Sequence, residues 1–245
     1  MTDVWIGTAD LPDRVDRARY FSELGYLELS AWFAGPLKPS ALARWVASTP
    51  KKAVGLVAPW VLTQRKPPRG STWTHDATVG DFRDSVHGRA ALGTLRDAVT
   101  QLDAACVVFR SPPAFAPSAA NRDQIRRFFT DVATPDAIGT RRVWVPDGLW
   151  EPHVAAKLAA ELDVTVAIDP LVREPGTPPE IYFDLELTSA YFRVEGLGRA
   201  GTLRAERLED LAALVEHYQE LPTTVTFASQ ARWQDARNFK KLLAT

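Results

Sequence analysis

Eight short β-rich runs, nearly all followed by a segment of helical periodicity, constrain this chain more than any other feature. The runs are Val4 to Thr8, Tyr26 to Ser30, Ala53 to Ala58, Ala105 to Arg110, Arg142 to Pro146, Val164 to Asp169, Ala190 to Glu195 and Thr223 to Phe227. Apolar residues recur at helical spacing over Arg14 to Leu24, Pro39 to Ser48, Ala90 to Leu102, Arg122 to Val132, Pro152 to Leu162, Glu206 to Tyr218 and Ala231 to Leu243. Pro170 to Ser189 breaks the pattern with prolines and acidic residues and reads as a loop with at most a short helix. Strand-helix alternation implies a parallel sheet, and eight units imply closure. The expected fold is α/β: a single (β/α)8 TIM-type barrel over residues 1–245, with a long loop after strand 3 and a poor sixth helix. A doubly wound open sheet is the competing arrangement. At 245 residues, 46% of them hydrophobic, the chain has the size and apolar content of one such barrel.

Turn chemistry agrees with these boundaries. Pro39-Ser40 and Pro117-Ser118 supply turn and cap residues ahead of helices, and Gly25 stands between the first helix and the second strand. The stretch from Pro59 to Gly88 is the one long irregular insertion. Loops of that length in a compact domain are usually lids, mobile segments or docking elements. Following the third strand, it belongs to the C-terminal face, where barrel active sites lie.

Charge and cysteine content exclude several classes. With 29 basic against 30 acidic residues, the net charge of −1 gives no global reason to expect nucleic acid or a membrane surface. Arg65, Lys66 and Arg69 form only a local basic cluster, so nucleic acid is disfavoured as a partner. The one cysteine, Cys106, lies in an apolar run; it excludes a disulfide scaffold and reads as a buried small hydrophobe rather than a nucleophile. No apolar stretch reaches the ~20 residues of a membrane span, and the N-terminus lacks a signal-peptide pattern, so a cytoplasmic protein is expected.

Several segments together resemble a known family. Trp5-Ile6-Gly7-Thr8, Leu27-Glu28-Leu29-Ser30-Ala31-Trp32-Phe33, Ala43-Arg44-Trp45, Val108-Phe109-Arg110-Ser111-Pro112-Pro113-Ala114-Phe115, Ala167-Ile168-Asp169-Pro170 and Tyr191-Phe192-Arg193-Val194-Glu195-Gly196 are similar to the corresponding segments of domain-of-unknown-function family 72, also called YecE-like. That resemblance implies a barrel without an established activity. The chain departs from the family pattern at polar positions. Val57 stands for a Lys, Thr63-Gln64 for Thr-His, Arg110 for a Gln, Glu195 for a His, and Phe227-Ala228-Ser229 for Phe-Asn-Asn. Trp144, Pro146 and Asp147 occupy the family's Glu-x-Arg-His, while Trp150 is kept.

Barrels present reactive groups at strand ends, where this chain carries Asp10, Glu28, Ser30, Arg110, Asp147, Asp169, Arg193, Glu195 and Ser229. Glu28, Asp169 and Glu195 are candidates for an acid and a base, with Arg110 and Arg193 holding an anionic oxygen. The competing reading is that these charges neutralise one another inside the barrel mouth. The four histidines, His75, His87, His153 and His217, form no metal-ligand spacing. Only an oxygen-ligand Mg2+ site on Glu28, Asp169 and Glu195 stays open as a minor alternative, and no metal or cofactor is expected. His153 and His217 read as surface or partly buried helix residues, whereas His75 and His87 belong to the long loop and could reach the mouth. Gly196-Leu197-Gly198-Arg199-Ala200-Gly201 fits G-x-G-x-x-G after a strand, without the downstream acid of a dinucleotide fold, and suits a phosphate at most. Trp32, Trp60, Trp73 and Trp150 are candidates for a stacking wall or, more simply, for packing.

The leading expectation is a catalytically degraded barrel, a pseudoenzyme keeping a C-terminal-face pocket for a small or phosphate-bearing ligand. Ser30, Arg110, Asp147, Arg193, Gly196, Gly198 and Trp150 would line that pocket. One alternative is a hydrolase or lyase acting on a phosphate ester or sugar through Glu28, Asp169 and Glu195 with Arg110 and Arg193. Another is a protein-interaction module using the 59–88 loop.

Overall fold

Strands buried on both faces read as near-continuous apolar runs, and the eight runs fit that pattern with Glu28, Arg142, Arg193 and several threonines as polar exceptions. In the computed structural model, which describes residues 4–172, 179–196 and 201–244, they close into a parallel barrel in chain order. The strands are β1 (Val4–Ala9), β2 (Tyr26–Leu29), β3 (Val54–Val57), β4 (Cys106–Arg110), β5 (Arg141–Val145), β6 (Thr165–Ile168), β7 (Ala190–Val194) and β8 (Thr223–Phe227). Closure runs through β1 and β8, where Val4 to Thr8 pair with Thr223 to Phe227. The open-sheet alternative is thereby removed.

Alternate residues of each strand enter two separate cores. Leu27, Leu56, Val107, Phe109, Trp144 and Phe192 point outward and pack under the helices. Tyr26, Val57, Cys106, Val108, Val143, Ala167 and Tyr191 fill the barrel interior. Two tyrosines inside so narrow a barrel need room, and glycine supplies it: a Cβ on Gly55 would overlap the Tyr26 hydroxyl, and one on Gly7 would strike the Tyr26 carbonyl.

Seven helices of two turns or more surround the barrel among the described residues: α1 (Arg17–Glu23), α2 (Pro39–Ser48), α3 (Val86–Leu102), α4 (Ala119–Arg127), α5 (Pro152–Glu161), α6 (Ala205–His217) and α7 (Arg232–Leu242). Caps explain where periodicity misplaced their starts. Ser85 Oγ accepts from Gly88 N at 3.0 Å and Ser118 Oγ from Asn121 N at 3.1 Å, so α3 and α4 begin earlier than their apolar pattern. Leu24 rather than Gly25 closes α1, donating its N–H to Tyr20 O. The sixth helix is reduced to a 3-10 turn, Pro179–Tyr182, as the sequence led us to expect. No helix of the described residues is long and apolar enough to cross a membrane.

The 59–88 segment is not the loose lid that its length suggested. Its first turn, Trp60–Thr63, is buried, and Gly80, Asp81 and Phe82 donate backbone N–H groups to Val61, Thr63 and Leu62. Phe82 is fully buried among Phe115, Phe128 and Phe129. The segment is a strap sewn into the barrel wall.

Candidate functional site

The centre of the barrel holds a hydrogen-bonded chain of side chains. Glu28 on β2 reaches across to β7, where Tyr191 Oη donates to Oε2 at 2.9 Å and Arg193 Nε donates to both carboxylate oxygens at 3.0 and 3.1 Å. Beneath them the Tyr191 and Tyr26 hydroxyls meet at 3.0 Å, and Tyr26 Oη lies 3.3 Å from Cys106 Sγ. Both tyrosines and the thiol are pushed up in pKa chiefly by burial, so all three stay protonated at neutral pH. Burial works against the charge of Arg193, but the charge and hydrogen bond of Glu28, together with Tyr191 and Asp169, outweigh it and the guanidinium is held above its ordinary range. The outer face of Arg193 meets the half-exposed Glu195 carboxylate in ion-pair contact without hydrogen-bond geometry.

Above this floor opens a cavity of about 880 Å3, within the size range of small-ligand sites. Arg110, Asp147, Trp150, Asp169, Arg193 and Glu195 line it, with the exposed Leu149 at its lip. Asp169 follows β6; its carboxylate accepts the Glu195 N–H at 2.8 Å and the Leu171 N–H at 3.0 Å. Burial nevertheless dominates and pushes the Asp169 carboxyl up to about 6. Arg110 ends β4 with its guanidinium toward the cavity, and no carboxylate of the described residues lies in ion-pair reach of it. Burial, then the neighbouring Arg193, lowers its pKa.

Not every strand-end candidate joins this wall. Glu28 is 1% exposed and sits in the floor, not on the cavity, which corrects its placement with Asp169 and Glu195 as an accessible acid or base. Ser30 also turns away: β2 stops at Leu29, and Asp10, whose backbone is left-handed at φ 57°, accepts from both the Ser30 N–H and the Ser30 hydroxyl. Ser229 donates to Asp235 at 2.7 Å and anchors α7. Gly196 adopts φ 72° and packs against Ser229 rather than lining the cavity, while Gly198 lies outside the described residues.

The aromatic wall also fails to form. Trp32 and Trp60 are buried, Trp73 donates its indole N–H to Trp32 O, and Trp150 touches the cavity while donating to Phe115 O at 2.7 Å. His75 contacts Trp73 O and the Trp60 ring, and His87 faces Asp76; both hold the strap in place and neither reaches the mouth. His153, read from sequence as an ordinary helix residue, lines the cavity. Its place in the first turn of α5, after the loop that leaves β5 on the C-terminal face, was the available signal. No group of three or more His, Cys, Asp or Glu side chains gathers at metal-binding distance among the described residues, so Glu28, Asp169 and Glu195 do not form the oxygen-ligand site that was left open.

Comparison with solved structures bears on this geometry. A DUF72 family protein from Enterococcus faecalis superposes with a TM-score of 0.72 at 14% identity, covering 100% of this chain and 99% of that one. The chain shares the closed eight-stranded barrel fold of that protein. A DUF72 family protein from Thermotoga maritima gives 0.66 at 12% identity over 99% of both chains, and D-psicose 3-epimerase from Clostridium cellulolyticum gives 0.61 at 10% identity over 98% of both. No protein-family model and no curated protein matches the sequence. Of the positions that depart from the sequence resemblance, Arg110, Asp147 and Glu195 stand on the cavity wall. Of those that carry it, Glu28 and Tyr191 lie in the floor, whereas Trp150, Asp169 and Arg193 also line the cavity.

Proposed function

We propose that this chain is a diverged DUF72 barrel whose mouth binds a small hydroxylated ligand carrying one anionic group, such as a phosphate. One observation carries the reading: Arg110 faces the cavity without a carboxylate partner among the described residues. A guanidinium so placed is completed by an oxyanion in bidentate contact. Asp147, Asp169 and Glu195 around the same cavity are hydrogen-bond acceptors and suit ligand hydroxyls. D-psicose 3-epimerase, of like fold, was solved with D-tagatose, which supports a polyhydroxylated ligand. With Glu28 committed to the floor, the wall supports binding better than it supports an acid-base pair built on that residue.

Isothermal titration calorimetry with glucose 6-phosphate tests this. Arg110→Met is expected to weaken binding at least about tenfold relative to wild type. Equal affinity in the two proteins overturns the proposal. A second reading has one observation in its favour, because an Asp169 carboxyl at about 6 is poised to donate a proton near neutral pH. In that case phosphate-ester turnover occurs in wild type and is abolished by Asp169→Asn with binding retained.

A further inference from the structure

The opposite end of the barrel carries a second opening. At the starts of the strands lies a cavity of about 200 Å3, lined by Trp5, Tyr26, Lys52, Arg141 and Thr224 among others, with no carboxylate in its lining. Arg141 opens β5 beside Cys106 of β4, pointing into the barrel, and donates from Nη2 to Thr224 Oγ1 at 3.2 Å. Besides that neutral hydroxyl it neighbours the Cys106 thiol, and no carboxylate of the described residues lies in ion-pair reach of it. Lys52 stands at the rim, sharing its ammonium with Asp103 at 2.7 Å. The Trp5 indole N–H has no acceptor among the described residues, and its ring forms a flat wall. Donors thus outnumber acceptors, and both charges on the wall are positive. The tyrosine hydroxyl at the inner end is already engaged with Tyr191 and Cys106.

We propose that this N-terminal cavity is a binding site for a small oxyanion, a phosphate or a carboxylate, held by Arg141 with Lys52 at the rim and Trp5 alongside. The volume is below the ~300 Å3 at which drug-sized sites begin, which limits the ligand to a fragment-sized anion. A planar arginine fork beside an aromatic face matches a flat carboxylate or one face of a phosphate. The site is separate from the mouth, with the Tyr26, Tyr191 and Glu28 layers lying between them.

The test uses two-dimensional NMR of the eight tryptophan indole N–H groups, with the Trp5 resonance assigned through Trp5→Phe. Inorganic phosphate and benzoate are titrated separately at constant ionic strength, with choline as a cationic control. The Trp5 resonance is expected to shift saturably with at least one anion, in wild type and in Arg110→Met alike. Arg141→Met is expected to weaken that binding at least about tenfold. Lys52→Gln, an exposed rim change that leaves the fold intact, is expected to weaken it about two- to fivefold. The proposal is overturned if neither anion moves the Trp5 resonance, if choline moves it equally, or if Lys52→Gln leaves the affinity unchanged. Lys52→Gln decides the matter should Arg141→Met fail to fold.

Discussion

Glu28→Gln separates a structural floor from a catalytic carboxylate. Glu28 is 1% exposed and Arg193 4% exposed, so removing the negative charge leaves a buried guanidinium whose other partner, Glu195, is half in solvent. Breaking a buried ion pair in this way costs about 3–5 kcal/mol. The amide oxygen of Gln keeps one acceptor for Tyr191 or Arg193, which restores about 1 kcal/mol. The expected loss is therefore about 2–4 kcal/mol, a fall of roughly 5–15 °C in melting temperature for a chain of this size. Urea unfolding followed by circular dichroism measures it. Glu28→Leu combined with Arg193→Met is expected to be more stable than Glu28→Gln alone, since exchanging both partners for apolar groups strands no charge. Tyr191 can then donate to Tyr26, and Tyr26 to Cys106. A Glu28→Gln protein within about 0.5 kcal/mol of wild type that nevertheless loses all ligand binding would refute the reasoning and return Glu28 to the ligand.

Asp169 is pushed up from 3.8 to about 6, so the folded state holds its proton more tightly than the unfolded chain does. The stabilisation is complete below about pH 4 and is lost as pH rises through 6. Wild type is expected to lose up to about 3 kcal/mol over that interval relative to Asp169→Asn, as read by urea midpoints against pH. Gly55→Ala drives a methyl into the Tyr26 hydroxyl and the Cys106 sulfur and should cost about 1–3 kcal/mol in the same assay; an unchanged midpoint would contradict the packing of the interior. Phe82→Ala should cost about 3–5 kcal/mol, because the strap is part of the core; a loss below about 1 kcal/mol would restore the reading of 59–88 as a lid or docking loop.

The strands were legible because parallel barrel strands, buried on both faces, read as continuous β-rich runs. Strand ends likewise identified Arg110, Asp147, Asp169, Arg193 and Glu195 as cavity residues. Depth along the axis was not legible: Glu28 and Asp169 both stand near strand ends, but the stagger of the barrel sets one in the floor and the other on the wall. Nor does a tryptophan after a strand reveal which way its ring turns, which is why Trp32 and Trp60 were candidates for a wall and proved to be core. The strap was hidden for a different reason, since its anchoring backbone hydrogen bonds and the left-handed Asp81 and Phe82 leave no periodic signal. Arg141 and Thr224 went unremarked because strand starts carry no expectation of chemistry in a barrel.

The most direct test of a binding mouth above a structural floor is a crystal structure of the protein soaked with glucose 6-phosphate. The phosphate is expected within hydrogen-bonding reach of the Arg110 guanidinium, the sugar hydroxyls against Asp147, Asp169 or Glu195, and Glu28 still bound by Tyr191 and Arg193. A mouth left empty at saturating ligand, or a ligand reaching Glu28 directly, would contradict it.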